Sequence, residues 1–165
     1  MTNAKEKFEQ ICTHIEIFKK LRAVEVIHLV DNIQFVRFKN GEVLFSQGSS
    51  QKQLFILVSG SVVVEQKNEF DEICVLATFE KPLTSFGEVS YLTHSVHSTR
   101  LRAIKENTTI ISFTINEKLD PNIYCKAYAQ LYKNLAINIA NRLKDANGHC
   151  FDDKRLLTEK KEPEL

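Results

Sequence analysis

The chain has 165 residues, 43% of them apolar and 26% charged, with a net charge of +1 at pH 7. That length suits one domain with a filled core, and that composition excludes a disordered chain. The near-neutral balance excludes a global electrostatic drive toward nucleic acid or anionic membrane. Cys12, Cys74, Cys125 and Cys150 form no close pair and no metal-ligand spacing, so reduced thiols in an intracellular protein are expected. The N-terminus, Met1–Lys7, is polar and has no apolar signal core, and no apolar run approaches a membrane span. A soluble, cytoplasmic protein is the expectation.

Residues 3–30 read as helix. Phe8, Ile11, Cys12, Ile15 and Phe18 recur at spacings of three and four and make one apolar face, which Ala23, Ile27 and Val30 continue. Residues 33–115 change character. Ile33, Phe35, Val36 and Phe38 open a region of short runs rich in β-branched and aromatic residues. Val43–Phe45, Leu54–Val58, Ser61–Glu65, Ile73–Thr78, Thr99–Ile104 and Thr109–Ile115 follow as strands, separated by Gly, Asn, Asp, Ser and Pro. Gln66–Asp71 is charged and reads as an exposed hairpin turn, while Gly41, Gly48 and Gly60 suit turns between strands. The pattern predicts an antiparallel sandwich or barrel.

Residues 121–147 return to helix. Asp120 suits the N-cap and Pro121 the first helical position. Ile123, Ala127, Leu131, Leu135, Ile139 and Leu143 repeat at spacings of four, and Gly148 is a natural stop. Residues 1–150 thus read as one α+β domain, followed by a charged tail, 151–165. The apolar stripe of the last helix either packs on its own barrel or pairs with a second copy, because Ala136 and Ala140 permit close helix contact. Tyr124, Tyr128 and Tyr132 make a second face.

The candidate chemistry lies between residues 86 and 103. Gly87 lets backbone N–H groups approach an anion, and a helix opening at Glu88 would favour negative charge at its N-terminus. Val89 and Ser90 would add backbone N–H groups, and the Glu88 carboxylate can accept hydrogen bonds from ribose hydroxyls. Downstream, the Ser98 hydroxyl can donate to a phosphate, with His97 before it and Thr99 and Arg100 after it. His94 and His97 raise a metal site as an idea, but three or four converging ligands are needed and the other histidines lie in helical or terminal segments. Nucleophilic catalysis has no Gly-x-Ser-x-Gly elbow to rest on.

Phe86-Gly87-Glu88, then Ser98, then Arg102-Ala103, resembles the phosphate-binding cassette of the cyclic nucleotide-binding domain family. An upstream block, Phe38–Gly48 and Leu54–Val62, is similar to the same family and carries glycines at 41, 48 and 60. The resemblance covers roughly residues 17–147. It implies an eight-stranded jelly-roll-like β-barrel, about 33–115, with N-terminal helices and a long C-terminal helix that pairs subunits in some members. It implies a cyclic nucleotide, cAMP or cGMP, as ligand, with Glu88 on the ribose and Gly87–Ser90 and Ser98 on the phosphate. It implies no catalysis and no cofactor. The helix-turn-helix of the transcriptional members would begin about where this sequence ends, so DNA recognition is not expected.

Two positions depart from the family pattern. His97 stands where the family has an arginine that forks onto the phosphate, and a neutral imidazole offers at most one donor. It either replaces the cation or is a loop histidine facing solvent. Arg100 shares a face with Ser98 if both are in a strand, and could then reach the phosphate; otherwise it is solvated. Leu83 stands where a glycine is common, which predicts a different loop path, since leucine resists positive φ. Asn138, Asn141 and Arg142 lie where the last helix could cover a base. The expected function is a regulatory or sensory domain that binds cAMP or cGMP and signals through its last helix to an unknown protein. The alternative is a domain that binds no nucleotide and serves dimerisation or docking.

Overall fold

A computed structural model describes residues 3–159 of the chain. Its first part is three short helical pieces: α1 (Ala4–Cys12), a 3-10 turn (Glu16–Phe18) and α2 (Ala23–Leu29). The single helix expected over 3–30 is therefore broken. Ile15 is extended at ψ 126° and Lys20 takes φ 67°, and these two kinks fold the apolar face back on itself. Phe8 and Phe18 meet edge to face at 5.9 Å, and both lie 5.6 Å from Phe113. One continuous helix could not bring all three rings together.

Eight strands follow: β1 (Val30–Phe38), β2 (Val43–Phe45), β3 (Leu54–Ser59), β4 (Val62–Lys67), β5 (Ile73–Phe79), β6 (Ser85–Phe86), β7 (Arg100–Ala103) and β8 (Thr108–Ile115). They form two antiparallel four-stranded sheets, β1-β8-β3-β6 and β2-β7-β4-β5, in an open, jelly-roll-like barrel. The expected architecture is thus present. The barrel starts at Val30 rather than 33, because α2 ends at Leu29 and Val30 pairs directly with Ile115. Strand β6 was not expected; two residues are too few to show a period.

Side-chain alternation explains the apolar run Leu54-Phe55-Ile56-Leu57 on β3. Leu54 and Ile56 face a core made with the helical pieces, and Phe55 and Leu57 face a second core between the sheets. A sheet buried on both faces has no polar phase. The outer face of the other sheet carries a polar cluster on β4 and β7, in which Arg100 and Arg102 cover a buried Glu65. Gly60 turns β3 into β4 at φ 95°; a Cβ there would lie 2.4 Å from Thr108 Oγ1.

Between β6 and β7 lies α3 (Glu88–Thr93), and the chain closes with α4 (Pro121–Glu159). Helix α4 runs past Gly148, which is therefore not its stop, and residues 151–159 of the expected tail are helical. One interior glycine costs a helix only about 1 kcal/mol, too little to stop a helix of this length. Residues 160–165 lie outside the described residues.

The α4 stripe divides. Ala127, Leu131 and Leu135 are buried on the domain's own core, whereas Leu143 is 61% exposed. The tyrosines also contact their own domain: Tyr128 donates to the Asn116 carbonyl, the Tyr132 hydroxyl meets that of Tyr91 while its ring stays partly in water, and Tyr124 lies tilted against His28 at 5.8 Å. Asn134 is buried and donates to the carbonyls of Ile17 (3.0 Å) and Lys19 (2.7 Å), which fastens α4 to the 3-10 turn. No described helix is long and apolar enough to cross a membrane.

Candidate functional site

The site forms where β6 runs into α3. Gly87 makes the turn at φ 90°, and a Cβ there would meet the Gln53 carbonyl oxygen at 2.7 Å, so only glycine fits. The turn drops Glu88 into the interior, 2% exposed. Ser85 Oγ donates to its Oε1 at 2.5 Å and Asn138 Nδ2 at 2.8 Å, while Arg142 Nη1 reaches Oε2 at 3.4 Å. The Arg142 Nη2 also donates to the Ser85 carbonyl. Its guanidinium lies 5.3 Å from the Phe86 ring centroid and 5.5 Å from that of Phe79, within cation–π range. Two side chains of α4 therefore close on the one buried carboxylate of the site.

His97 is buried, not facing solvent. Its ring stacks on Phe45 at 4.0 Å with 19° between planes, and Nδ1 lies 3.0 Å from Ser90 Oγ. Among the described residues Nε2 has no hydrogen-bond partner. Burial pushes the imidazole below its ordinary value, against a smaller opposing pull from the Gln51 backbone. The ring is thus neutral at pH 7, and it supplies no fixed positive charge. Its backbone pins the loop: His97 N donates to Ser49 O at 2.9 Å, and Gly48 N to His97 O at 2.8 Å.

Arg100 neither reaches the site nor stands free in water. Its Nε donates to Glu65 at 2.6 Å, beside Arg102 Nη2 at 2.5 Å. Arg102, then Arg100, holds the Glu65 carboxyl below the usual carboxylate range. Strand parity gives the reason: Leu101 and Ala103 face inward on β7, so Arg100 and Arg102 face out. Leu83 does adopt a positive φ, 65°, so the loop keeps a glycine-like path. Its side chain packs on the core and its N–H donates to Leu57 O at 2.7 Å, which offsets a left-handed cost of about 1–2 kcal/mol.

The structure brings Gly87, Glu88, Val89, Ser90, His97, Ser98 and Thr99 around one cavity of about 170 Å³, with Phe45 and Arg142. Of the three α4 residues expected over a base, Asn138 and Arg142 bind Glu88, and Asn141 lies in a neighbouring groove. The Ser85 and Phe45 contacts had no sequence signal; each is set by strand register. Among the described residues no group of three His, Cys, Asp or Glu could hold a metal ion.

This combination defines a class: a β-domain with a small cavity beside a glycine turn, capped by its own C-terminal helix. The sequence profile of the cyclic nucleotide-binding domain matches residues 35–117, about half of the chain. The chain belongs to the cyclic nucleotide-binding domain family. The cAMP-dependent protein kinase regulatory subunit of Dictyostelium discoideum is 29% identical over 89 residues, 52% of this chain and 27% of that protein. The chain therefore spans about a quarter of that relative. The catabolite activator protein of Thermus thermophilus superposes with a TM-score of 0.61 at 23% identity, over 87% of this chain and 63% of that one. The regulatory subunit of a cAMP-independent protein kinase A from Trypanosoma cruzi, bound to guanosine, superposes with a TM-score of 0.63 at 16% identity, over 98% and 53%. At such identities the two structures share the fold with this chain.

Proposed function

We propose that this chain is a non-catalytic regulatory domain that reversibly binds a ribose-bearing ligand beside Glu88 and reports occupancy through α4. The observation that carries this reading is the contact of Asn138 and Arg142 with the buried Glu88 carboxylate. Ribose hydroxyls would donate to the same oxygens. Ligand and α4 then compete for one acceptor, so binding favours a state with α4 released. The cavity supports the same view. Its 170 Å³ falls below the roughly 300 Å³ at which ligand pockets usually begin, so a nucleotide enters only as Arg142 leaves.

Family membership makes cAMP or cGMP the first ligand class to test, with Gly87–Ser90 and Ser98 on the phosphate and His97 in place of the cation. Thermal unfolding with each nucleotide is the test. Saturation at a hundred times Kd should add about 2.7 kcal/mol of stability. Absence of a shift at millimolar concentrations of both would overturn nucleotide binding and leave the docking module. A second reading, an uncharged ribonucleoside, is favoured by the neutral, buried His97. Guanosine beside cGMP in the same assay separates the two. We place the protein in the cytoplasm, where its signal passes to a partner protein.

We also propose a homodimer through α4. Tyr132, Ala136, Ile139 and Leu143 follow spacings of 4, 3 and 4, the coiled-coil period, and three of them are exposed, Ile139 being half-buried.

A further inference from the structure

A second cavity, about 480 Å³, lies between the 3-10 turn, the β5–β6 loop and α4. It is larger than the Glu88 cavity and within the usual range for small-molecule sites. Lys19 and Lys20 line it from just after the 3-10 turn, Lys81 from the loop and Lys133 from α4. One carboxylate, Glu16, stands with them, and it pairs with Lys19 at 3.5 Å on the surface. Among the described residues Lys20, Lys81 and Lys133 have no acidic partner within 4.0 Å. Such a concentration of one sign stands out in a chain with a net charge of only +1. Converging ammonium groups repel one another and draw an anion into the cleft between them.

The rest of the lining is chemically selective. Gln130, Asn138 and Asn141 add amides along α4 beside Ile137, and the buried Asn134 lies among them; Asn138 is the one lining residue that also contacts Glu88, through its Nδ2. Asn134 spends its two donors on Ile17 and Lys19, which holds the lysine-bearing turn in place. Amide oxygens suit ligand hydroxyls, and ammonium groups suit phosphate oxygens. We infer that this groove is a binding site for a small phosphate-bearing molecule, a phosphate ester or a pyrophosphate, separate from the Glu88 cavity.

Calorimetric titration of the full chain with inorganic pyrophosphate, at ionic strength held constant with sodium chloride, tests this. Saturable binding is expected, weakened about tenfold by Lys81→Gln and by Lys133→Gln, since one hydrogen bond to a charged group accounts for that factor. Both lysines are exposed, so the fold should survive either change. Binding should persist in Glu88→Gln, which disables the ribose carboxylate and so keeps the two sites distinguishable. No saturable heat overturns the proposal. So does binding untouched by both lysine variants but lost in Arg142→Gln, which would place the anion in the Glu88 cavity. Binding of poly-glutamate without pyrophosphate would overturn it as well, in favour of an acidic protein partner.

Discussion

Arg142 can be read as a lid over a ligand or as a latch on Glu88, and the two make opposite predictions. A lid contributes contacts to the ligand, so its removal weakens binding. A latch competes with the ligand, so its removal strengthens it. The guanidinium lies on Glu88 and the Ser85 carbonyl, between Phe79 and Phe86. Arg142→Ala should therefore bind nucleotide or nucleoside more tightly, by about tenfold for one competing charged hydrogen bond. Its own stability should fall by about 1–2 kcal/mol. Titration of both proteins with one ligand checks this, and weaker binding by the variant would sink the latch.

His97 gives the residue scale its pH dependence. Burial holds its folded pKa below the ordinary 6.5, so the unfolded chain binds the proton more readily. Stability from this residue is whole above about pH 6.5 and declines as pH falls below it, until the folded pKa is reached. Urea unfolding at pH 7.5 and pH 5.5 should show a smaller loss on acidification for His97→Phe than for the parent chain. Equal losses would mean that the imidazole is solvated.

At the scale of elements, α4 is held by a few buried polar contacts set among apolar ones. Asn134→Ala would leave the Ile17 and Lys19 carbonyls without their donor and should cost about 2 kcal/mol, read as a lower urea midpoint at unchanged m. Sequence made some elements plain and hid others for the same physical reason. Leu54–Val58 and Thr109–Ile115 are legible because burial imposes a period or an unbroken apolar run on consecutive residues. Gly87 and Glu88 are legible because turn and carboxylate are neighbours. The partners of Glu88 are not, since Asn138 lies 50 residues away and Arg142 lies 54 away, and only the packing of α4 joins them. The broken N-terminal helix was hidden too, since its apolar spacing suits one helix as well as three folded pieces.

For the whole molecule, the question is what covers the outer face of α4. Leu131 and Leu135 are already buried by their own domain, so the stripe available to a second copy is the one through Tyr132, Ala136, Ile139 and Leu143. Leu143 is 61% exposed and Ile137, beside the stripe, is 49% exposed. Leu143→Asp would bring two carboxylates to a symmetric seam, where like charges repel and lose hydration, without touching the core. Sedimentation equilibrium should show a dimer for the parent chain and a monomer for the variant, with thermal unfolding of the variant independent of protein concentration. A parent chain that is monomeric at tens of micromolar would remove the dimer. The Glu88 latch would then have to signal within one subunit, through the release of α4 from the 3-10 turn.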